Sequence, residues 1–226
     1  ASLKLLQSIG VQQVSISGDT RFDRVGAIEE PLAFMETFVG LRKCIIAGST
    51  WPEDEAILRE SIRQTPKDWC WLIAPHEIHG EKLNQLMTQL PKESLRFTQN
   101  EEAAFDGCPV LVLDTVGMLS RCYPYASLAY VGGGMGNAGL HNILEPAAQG
   151  VPIIIGKNYD RFVEAKDLIA QGGVISVTTA DDCSKQLSIL QENDALRSEK
   201  GNTNKSYVLT NKGATLKIVS ILNQNL

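Results

Sequence analysis

The sequence lacks several features that would each indicate a function directly. It contains no Gly-Lys-Ser or Gly-Lys-Thr, which excludes a P-loop nucleotide site. Its 5 cysteines are odd in number and never spaced as Cys-x-x-Cys, so neither a disulfide framework nor a zinc site is indicated. Unpaired thiols favour a reducing compartment, and we expect the cytoplasm. No apolar run approaches the ~20 residues that a membrane-spanning helix needs.

The sequence also has no excess of positive charge. It carries 21 Lys and Arg against 26 Asp and Glu, a formal net charge of -5, which argues against nucleic acid or an anionic membrane surface as a direct partner. The 226 residues are 43% hydrophobic, enough for one sizeable core or two small ones. The chain does not begin with Met, and residues 1–7 resemble the middle of a helix rather than a signal peptide. We therefore expect a fragment of a longer protein.

Short apolar runs alternate with helical patterns along the chain. Several runs are apolar on both faces, as in parallel strands covered by helices on both sides. The pattern predicts an α/β fold with a Rossmann-like, doubly wound parallel sheet. The predicted strands are 13–16, 43–47, 70–74, 110–113, 128–131, 152–155 and 173–176. The predicted helices are 52–64, 80–90, 116–126, 141–149, 161–171, 180–199 and 212–224.

The residues just after these strands are small, polar or titratable. They cluster at five strand ends, near residues 48, 76, 114, 133 and 157. Sheets of this class bind ligands beyond the carboxyl ends of their strands, so the convergence predicts a nucleotide cleft there.

The most informative strand end is the glycine turn that follows strand 128–131. Backbone N–H groups of such a turn can approach an anion without interference from a Cβ atom, which is typical of a phosphate site. Pro146 is tolerated best in the first turn of a helix, so Glu145 is placed near the helix start. A carboxylate there can accept hydrogen bonds from two ribose hydroxyls, although a helix-start acid needs no ligand to explain it.

Several of these residues have more than one possible role. Residues 134–139 match G-x-G-x-x-G, but a dinucleotide fold opens with that turn, whereas here several strand and helix units precede it. Ser49 or Thr50 can cap the helix that follows, and capping is the simpler role for Thr50. His76 either donates to an anion or is a plain surface histidine, and its spacing to His79 fits no metal site. Lys157 either binds an anionic sugar or is a solvated charge.

Seven segments, spread along nearly the whole chain, resemble one enzyme family. Residues 17–25 contain Gly-Asp-Thr-Arg-Phe-Asp-Arg, and residues 141–148 read His-Asn-Ile-Leu-Glu-Pro-Ala-Ala; both runs are specific. The other segments are 47–55, 74–76, 114–117, 131–134 and 156–165. Together they resemble the 3-deoxy-D-manno-octulosonic acid (Kdo) transferases of lipopolysaccharide biosynthesis.

The resemblance implies the C-terminal half of a GT-B glycosyltransferase, an inverting and metal-independent enzyme without a cofactor. Such an enzyme moves Kdo from CMP-Kdo onto a lipid A precursor, lipid IVA, at the cytoplasmic face of the inner membrane. The membrane contact, the acceptor site and the catalytic base would lie in the N-terminal half, so the fragment alone is expected to be inactive. Residues 1–24 would be the interdomain connection and first strand, 25–210 the donor-binding domain, and 211–226 a helix that returns toward the other half.

The expected donor site combines these observations. Its predicted residues are Ser49, Thr50, Pro75, His76, Gly132, Gly133, Gly134, Met135, Gly136, His141, Asn142, Glu145, Lys157 and Asn158. Two alternatives share most of these residues. One is another GT-B protein, a UDP-sugar transferase or a UDP-sugar 2-epimerase, and the other is a nucleotide-binding module that is inert in isolation.

Overall fold

A computed structural model describes residues 2–26 and 30–224 of the chain. Residue 1 of the predicted connection and residues 225–226 of the predicted last segment lie outside this part. Seven parallel strands form one sheet in the order β3-β4-β2-β1-β5-β6-β7. The strands are β1 Lys43–Thr50, β2 Trp69–Pro75, β3 Leu95–Arg96, β4 Val110–Val112, β5 Leu128–Val131, β6 Ile153–Ile155 and β7 Val174–Ser176.

The described residues also form helices on both sides of the sheet. They are α1 Ser2–Ser8, α2 Arg21–Arg24, α3 Ala33–Val39, α4 Pro52–Arg63, α5 Gly80–Gln89, α6 Leu119–Cys122, α7 Leu144–Ala148, α8 Val163–Ala170, α9 Ala180–Glu192, α10 Asp194–Thr210 and α11 Ala214–Gln224. Three short 3-10 helices cover Phe97–Gln99, Glu102–Phe105 and Tyr123–Tyr125.

Each face of the sheet packs its own hydrophobic core. Along β1, Cys44 and Ile46 point into one core, while Ile45 and Ala47 point into the other, because successive strand residues face opposite sides. All four are fully buried, and burial of one large aliphatic side chain stabilises a fold by about 1.5–3 kcal/mol. The predicted doubly wound sheet is confirmed. The 5 cysteines are all buried free thiols, so Cys44 and Cys70 are core residues as expected.

The strand order reverses between β1 and β5. From β1 the chain first builds the β2, β4 and β3 side of the sheet, and it then returns to place β5 against the other edge of β1. At such a reversal the helices on either side of the sheet diverge, which leaves a crevice beyond the carboxyl ends of the two strands. The residues after β1 and β5 therefore face this crevice.

Several predicted elements differ in the structure. Residues 13–16 are not a strand; their side chains are largely exposed, and none of the seven strands in the described part of the chain pairs with them. The predicted helix 180–199 is two helices, since Asn193 breaks it and caps α10 by accepting the Leu196 N–H at 2.9 Å. The predicted helix 116–126 shortens to α6 and a 3-10 turn that contains Pro124, which has no N–H to continue the helix.

The last helix, α11, packs against α2 near the start of the chain. The Asp23 carboxylate accepts the N–H groups of Gly213 at 2.6 Å and Thr215 at 2.7 Å, which ties the two segments together. Among residues 2–26 and 30–224, no helix combines the length and the apolar character needed to span a bilayer.

Candidate functional site

The glycine turn after β5 is held by a buried carboxylate from α4. Asp54 is fully buried and accepts hydrogen bonds from the Gly133 N–H at 2.7 Å, the Tyr130 hydroxyl at 2.8 Å, the Trp51 N–H at 3.0 Å and the Met135 N–H at 3.3 Å. Asp54 thus joins the first turn of α4 to the turn after β5, across the crevice. Burial and the neighbouring Asp54 charge raise the pKa of Tyr130, so its hydroxyl stays a donor.

Close contact between chain segments explains why the turn is made of glycine. A Cβ atom on Gly132 would overlap the Ser49 carbonyl, and one on Gly133 would overlap the Gly139 carbonyl. Gly133 also has φ +88°, a conformation that L side chains rarely adopt. The turn is therefore required by packing, whatever it binds.

Internal hydrogen bonds narrow the part of the turn that could act as the predicted phosphate cradle. The amides of Gly133 and Met135 bind Asp54, and the Gly132 N–H donates to the Gly48 carbonyl at 2.9 Å. Three of the five N–H groups in residues 132–136 are thus engaged within the protein. Ligand binding by this turn stays a prediction that rests on Gly134 and Gly136.

A cavity of about 580 Å³ opens beside the turn and gathers part of the predicted site. Its walls come from the segment around α2, from α6 and its 3-10 extension, from the loop that leads into α7, and from the start of α8. The side chains with polar or charged groups that line it are Arg21, Arg24, Ser120, Arg121, His141, Asn142, Glu145, Gln149 and Glu164. Among the described lining residues, three arginines outnumber two glutamates in a chain with a net negative charge.

Glu145 lies in the first turn of α7, as Pro146 predicted, and Asn142 positions it. The Asn142 amide donates to Glu145 Oε1 at 3.1 Å, and its own carbonyl oxygen accepts the Leu144 N–H at 3.1 Å. Burial raises the pKa of Glu145, with the Asn142 hydrogen bond opposing the shift. Because Asn142 engages one carboxylate oxygen, the geometry leaves the other to accept hydroxyl groups of a ligand.

The arginines of the cavity were not among the predicted site residues. Arg21 pairs with Glu164 and with Asp19, at 2.7 Å in each case, so much of its charge is compensated. Arg121 donates to the Glu30 carbonyl at 3.3 Å. Arg24 is exposed and has no ion pair within the described part of the chain. The signal that could have identified Arg21 and Arg24 was the specific run at residues 18–24.

An aromatic stack joins the ends of three parallel strands. The rings of Trp51 and His76 stack with centroids 4.4 Å apart, and those of His76 and His141 lie 4.7 Å apart. The Trp51 indole N–H donates to His141 Nε2 at 3.1 Å. The structure thus brings the predicted residues His76 and His141 together, through a tryptophan that the sequence analysis did not select.

The remaining predicted residues are placed around this stack. Ser49 adopts φ +54° at a bulge in β1, the only non-glycine residue with positive φ in the described segments. Thr50 is buried and donates to Glu55 Oε1 at 3.0 Å, so neither Ser49 nor Thr50 caps α4; the Asp54 contact with the Trp51 N–H takes that role. Pro75 ends β2 and is buried.

The loop after β6 braces the glycine turn. Asn158 donates from its side chain to the carbonyls of Met135 at 3.3 Å and Gly136 at 2.8 Å, and from its backbone to Gly134 at 2.8 Å. Lys157 next to it is exposed. Gly136 and Asn158 line a second cavity of about 360 Å³ together with Arg161, separated from the first cavity by Phe162.

The fold and this crevice define the class of the protein. The described part of the chain folds as a Rossmann-like domain of the GT-B glycosyltransferase type. It matches the C-terminal CMP-Kdo binding domain of WaaA from Acinetobacter baumannii with a TM-score of 0.64, at 19% identity over 78% of this chain and 98% of that one. It also matches Staphylococcus aureus MnaA in a structure with UDP, with a TM-score of 0.67 at 12% identity over 96% and 56% of the two chains.

Sequence comparison identifies the relatives within this class. The 3-deoxy-D-manno-octulosonic acid transferase of Haemophilus influenzae is 29% identical over 222 residues, which cover 93% of this chain and 51% of that protein. The enzyme of the same name from Bordetella pertussis is 25% identical over 94% and 52% of the two chains. No family model matches the sequence. The chain is a homologue of the 3-deoxy-D-manno-octulosonic acid transferases and spans about half their length.

Proposed function

We propose that this chain is the donor-binding half of an inverting Kdo transferase that moves Kdo from CMP-Kdo to lipid IVA. The observation that carries the proposal is the homology to Kdo transferases over 93% of the chain. The cavity of about 580 Å³ supports it with a fitting set of groups.

The charges of the cavity suit this donor. CMP-Kdo carries two separate anionic groups, the phosphodiester and the sugar carboxylate. Arg24 lines the cavity, and a guanidinium group binds either kind of anion through paired hydrogen bonds. As the bond to Kdo breaks, negative charge grows on the CMP phosphate, and fixed cations beside it stabilise that charge without a metal ion.

Glu145 suits the ribose of the nucleotide. An ionised carboxylate accepts hydrogen bonds from two neighbouring hydroxyls, and Asn142 holds it in position. Hydrogen bonds to a charged group stabilise a complex by about 1.5–3 kcal/mol. This contact is common to nucleotides with a ribose, so it does not by itself select cytosine.

The acceptor and the base belong, in this proposal, to the half of the relatives' length that the chain does not span. Contact with lipid IVA and with the cytoplasmic face of the inner membrane would be made there. The matched half would bind the donor but not turn it over alone.

Titration calorimetry of the chain with CMP, UMP, UDP and AMP tests the proposal. We expect CMP to bind more tightly than the other three, and R24Q to weaken CMP binding by about tenfold, the effect of losing one charged contact. R63Q, which removes an exposed arginine from α4, is the matched control and should leave affinity unchanged. Preference for UDP would instead favour a UDP-sugar transferase or 2-epimerase, and no binding by any nucleotide would contradict the donor site.

A further inference from the structure

The ring of His141 has one nitrogen fixed by another residue. The indole N–H of Trp51 is a donor only, so His141 Nε2, at 3.1 Å from it, must be the unprotonated acceptor. A neutral imidazole with this acceptor carries its proton on Nδ1. The hydrogen bond from Trp51 thus sets the tautomer of His141.

The other nitrogen of the ring, Nδ1, lies on the edge opposite to Cδ2. The Cδ2 atom, next to Nε2, faces Gly133, where a Cβ atom would come within 3.1 Å of it. Nδ1 lies on the opposite edge and has no hydrogen-bond partner among residues 2–26 and 30–224. His141 is half-buried and lines the arginine cavity, so its Nδ1–H is available to a molecule bound there.

The surroundings of His141 keep it neutral. Burial and then the neighbouring His76 lower the pKa of His141, while the Asp54 charge opposes them. The ring of His76 is tilted by 35° to that of His141, and Lys82 Nζ lies 5.9 Å from the centre of the Trp51 ring. Among the residues that line the cavity, Glu145 is the acidic residue nearest to His141 in the sequence.

We propose that Trp51 is a positioning residue that holds His141 as its neutral Nδ1–H tautomer, so that His141 donates a hydrogen bond to an anionic oxygen of the ligand in the cavity. The identity of that oxygen, a phosphate oxygen of a cytidine nucleotide, rests on the proposed function. The arginines attract the anionic ligand by charge. The Nδ1–H of His141 fixes the position of the bound oxygen, because a hydrogen-bond donor in a fixed ring accepts only a narrow range of oxygen positions.

The tautomer is tested by nitrogen-15 NMR of the histidine rings in the ligand-free chain. With H79Q and H141N used to assign the signals of the three histidines, we expect the wild-type His141 spectrum to show protonated Nδ1 and unprotonated Nε2 near pH 7. W51F keeps an aromatic ring for stacking but has no N–H, so it should give a mixture of tautomers. W69F removes another indole and is the matched control that should leave the His141 signals unchanged. Protonated Nε2 in the wild type, or an unchanged spectrum in W51F, would overturn the proposal.

The consequence for binding is tested by CMP affinity in a mutant cycle. W51F should weaken CMP binding by up to about fivefold, the value of one neutral hydrogen bond, because only part of the tautomer mixture donates from Nδ1. H141N places an amide donor near the position of Nδ1 and H141Q near that of Nε2, so H141N should lose less affinity than H141Q. In the H141N background, W51F should cost nothing further, because an amide has no tautomer to fix.

The proposed function and the positioning role of Trp51 can be refuted by different results. A wild-type chain that shows the Nδ1–H tautomer but binds no CMP would remove the proposed function and leave the positioning role intact. If W51F does not fold, the comparison of H141N with H141Q still decides the outcome, and equal losses in both variants would contradict a directed Nδ1 donor.

Discussion

The Asp54 carboxylate accepts the Gly133 N–H at 2.7 Å and so closes the point where the strand order of the sheet reverses. In most doubly wound nucleotide-binding folds this crevice is where a ligand meets the turn. Here an internal carboxylate occupies part of it and accepts two of the turn's N–H groups. The adjacent arginine cavity is therefore the better candidate for the anionic part of the donor.

Asp54 should be essential to stability. D54N keeps the shape of the side chain, but its amide nitrogen cannot accept the hydrogen bonds that converge on the carboxylate. We expect the free energy of unfolding to fall by about 3 kcal/mol, in line with the loss of buried charged hydrogen bonds. Urea denaturation measures this, with E199Q on the exposed face of α10 as a control that should change little. Equal stabilities of D54N and E199Q would show that the contact is dispensable.

Nucleotide binding should depend on the ionisation of Glu145. Burial raises the pKa of Glu145, so its carboxylate gains a proton at a higher pH than an exposed glutamate does. Only the ionised form accepts hydrogen bonds from both ribose hydroxyls, so the contribution of Glu145 to CMP affinity, measured as the difference between wild type and E145Q, should be constant at neutral pH and decline as the pH falls toward the raised pKa. E145Q should weaken CMP by about tenfold at pH 7.

Titration calorimetry with CMP, at several pH values at which the chain remains folded, measures this pH dependence for the wild type and E145Q. E145Q should also remove the glutamate's part of the pH dependence. If its affinity for CMP followed the same pH curve as the wild type at the same strength, Glu145 would not contact the ligand.

Asp114 should make the fold sensitive to acid. Burial works against its ionised form, yet hydrogen bonds from Thr98 and Arg96, at 2.6–2.9 Å, hold the pKa of Asp114 below its usual value. A carboxylate with a lowered folded-state pKa stabilises the protein above the unfolded-state pKa of about 3.9 and loses that effect as the pH falls through the folded-state pKa.

The D114N variant isolates this contribution. It should be less stable than the wild type by about 2 kcal/mol at pH 7, and the difference should shrink below pH of about 4, where the unfolded wild-type chain takes up a proton on this carboxylate. Urea unfolding at pH 7 and pH 3 measures both differences. A difference that stays the same at the two pH values would assign the effect to shape rather than charge.

Gly201 should tolerate no side chain, although it lies in the middle of α10. A Cβ atom there would overlap the Gly150 carbonyl. Helix propensity alone predicts that G201A stabilises by about 1 kcal/mol, whereas the overlap predicts a loss of about 1–3 kcal/mol. N202A, at the exposed neighbouring position, should be neutral or slightly stabilising. The sign of the G201A change in thermal unfolding therefore reports whether α10 sits against Gly150 in solution.

The sequence predicted the regular parts of the fold well. Long apolar strands such as β1 and β2 and the amphipathic helix α4 are specified locally, by side-chain periodicity and by the proline at the start of α4. The two-residue strand β3 was missed because nothing in Leu95 and Arg96 marks them as extended; they pair only because β4 offers a free edge. The false strand at residues 13–16 has the opposite cause, a suitable pattern without a partner.

Some residues of the candidate site could be predicted from the local sequence, and others could not. Glu145 was placed correctly because Pro146 fixes the helix start in the sequence itself. The arginines and Trp51 were not chosen, because their roles depend on residues that are distant in the chain, such as Glu164 for Arg21 and His141 for Trp51. The binding roles of the predicted residues stay predictions for the experiments above.

By itself, the sequence determined that this protein is an α/β domain related to Kdo transferases, because strand and helix patterns and the specific runs near residues 18–24 and 141–148 are local properties of the chain. Only the tertiary structure decided which groups face the ligand. Asp54 accepts the Gly133 and Met135 N–H groups, and Arg21 and Arg24 line the same cavity as Glu145, because hydrogen bonds and charges act through space between residues that lie 79 or more positions apart in the sequence.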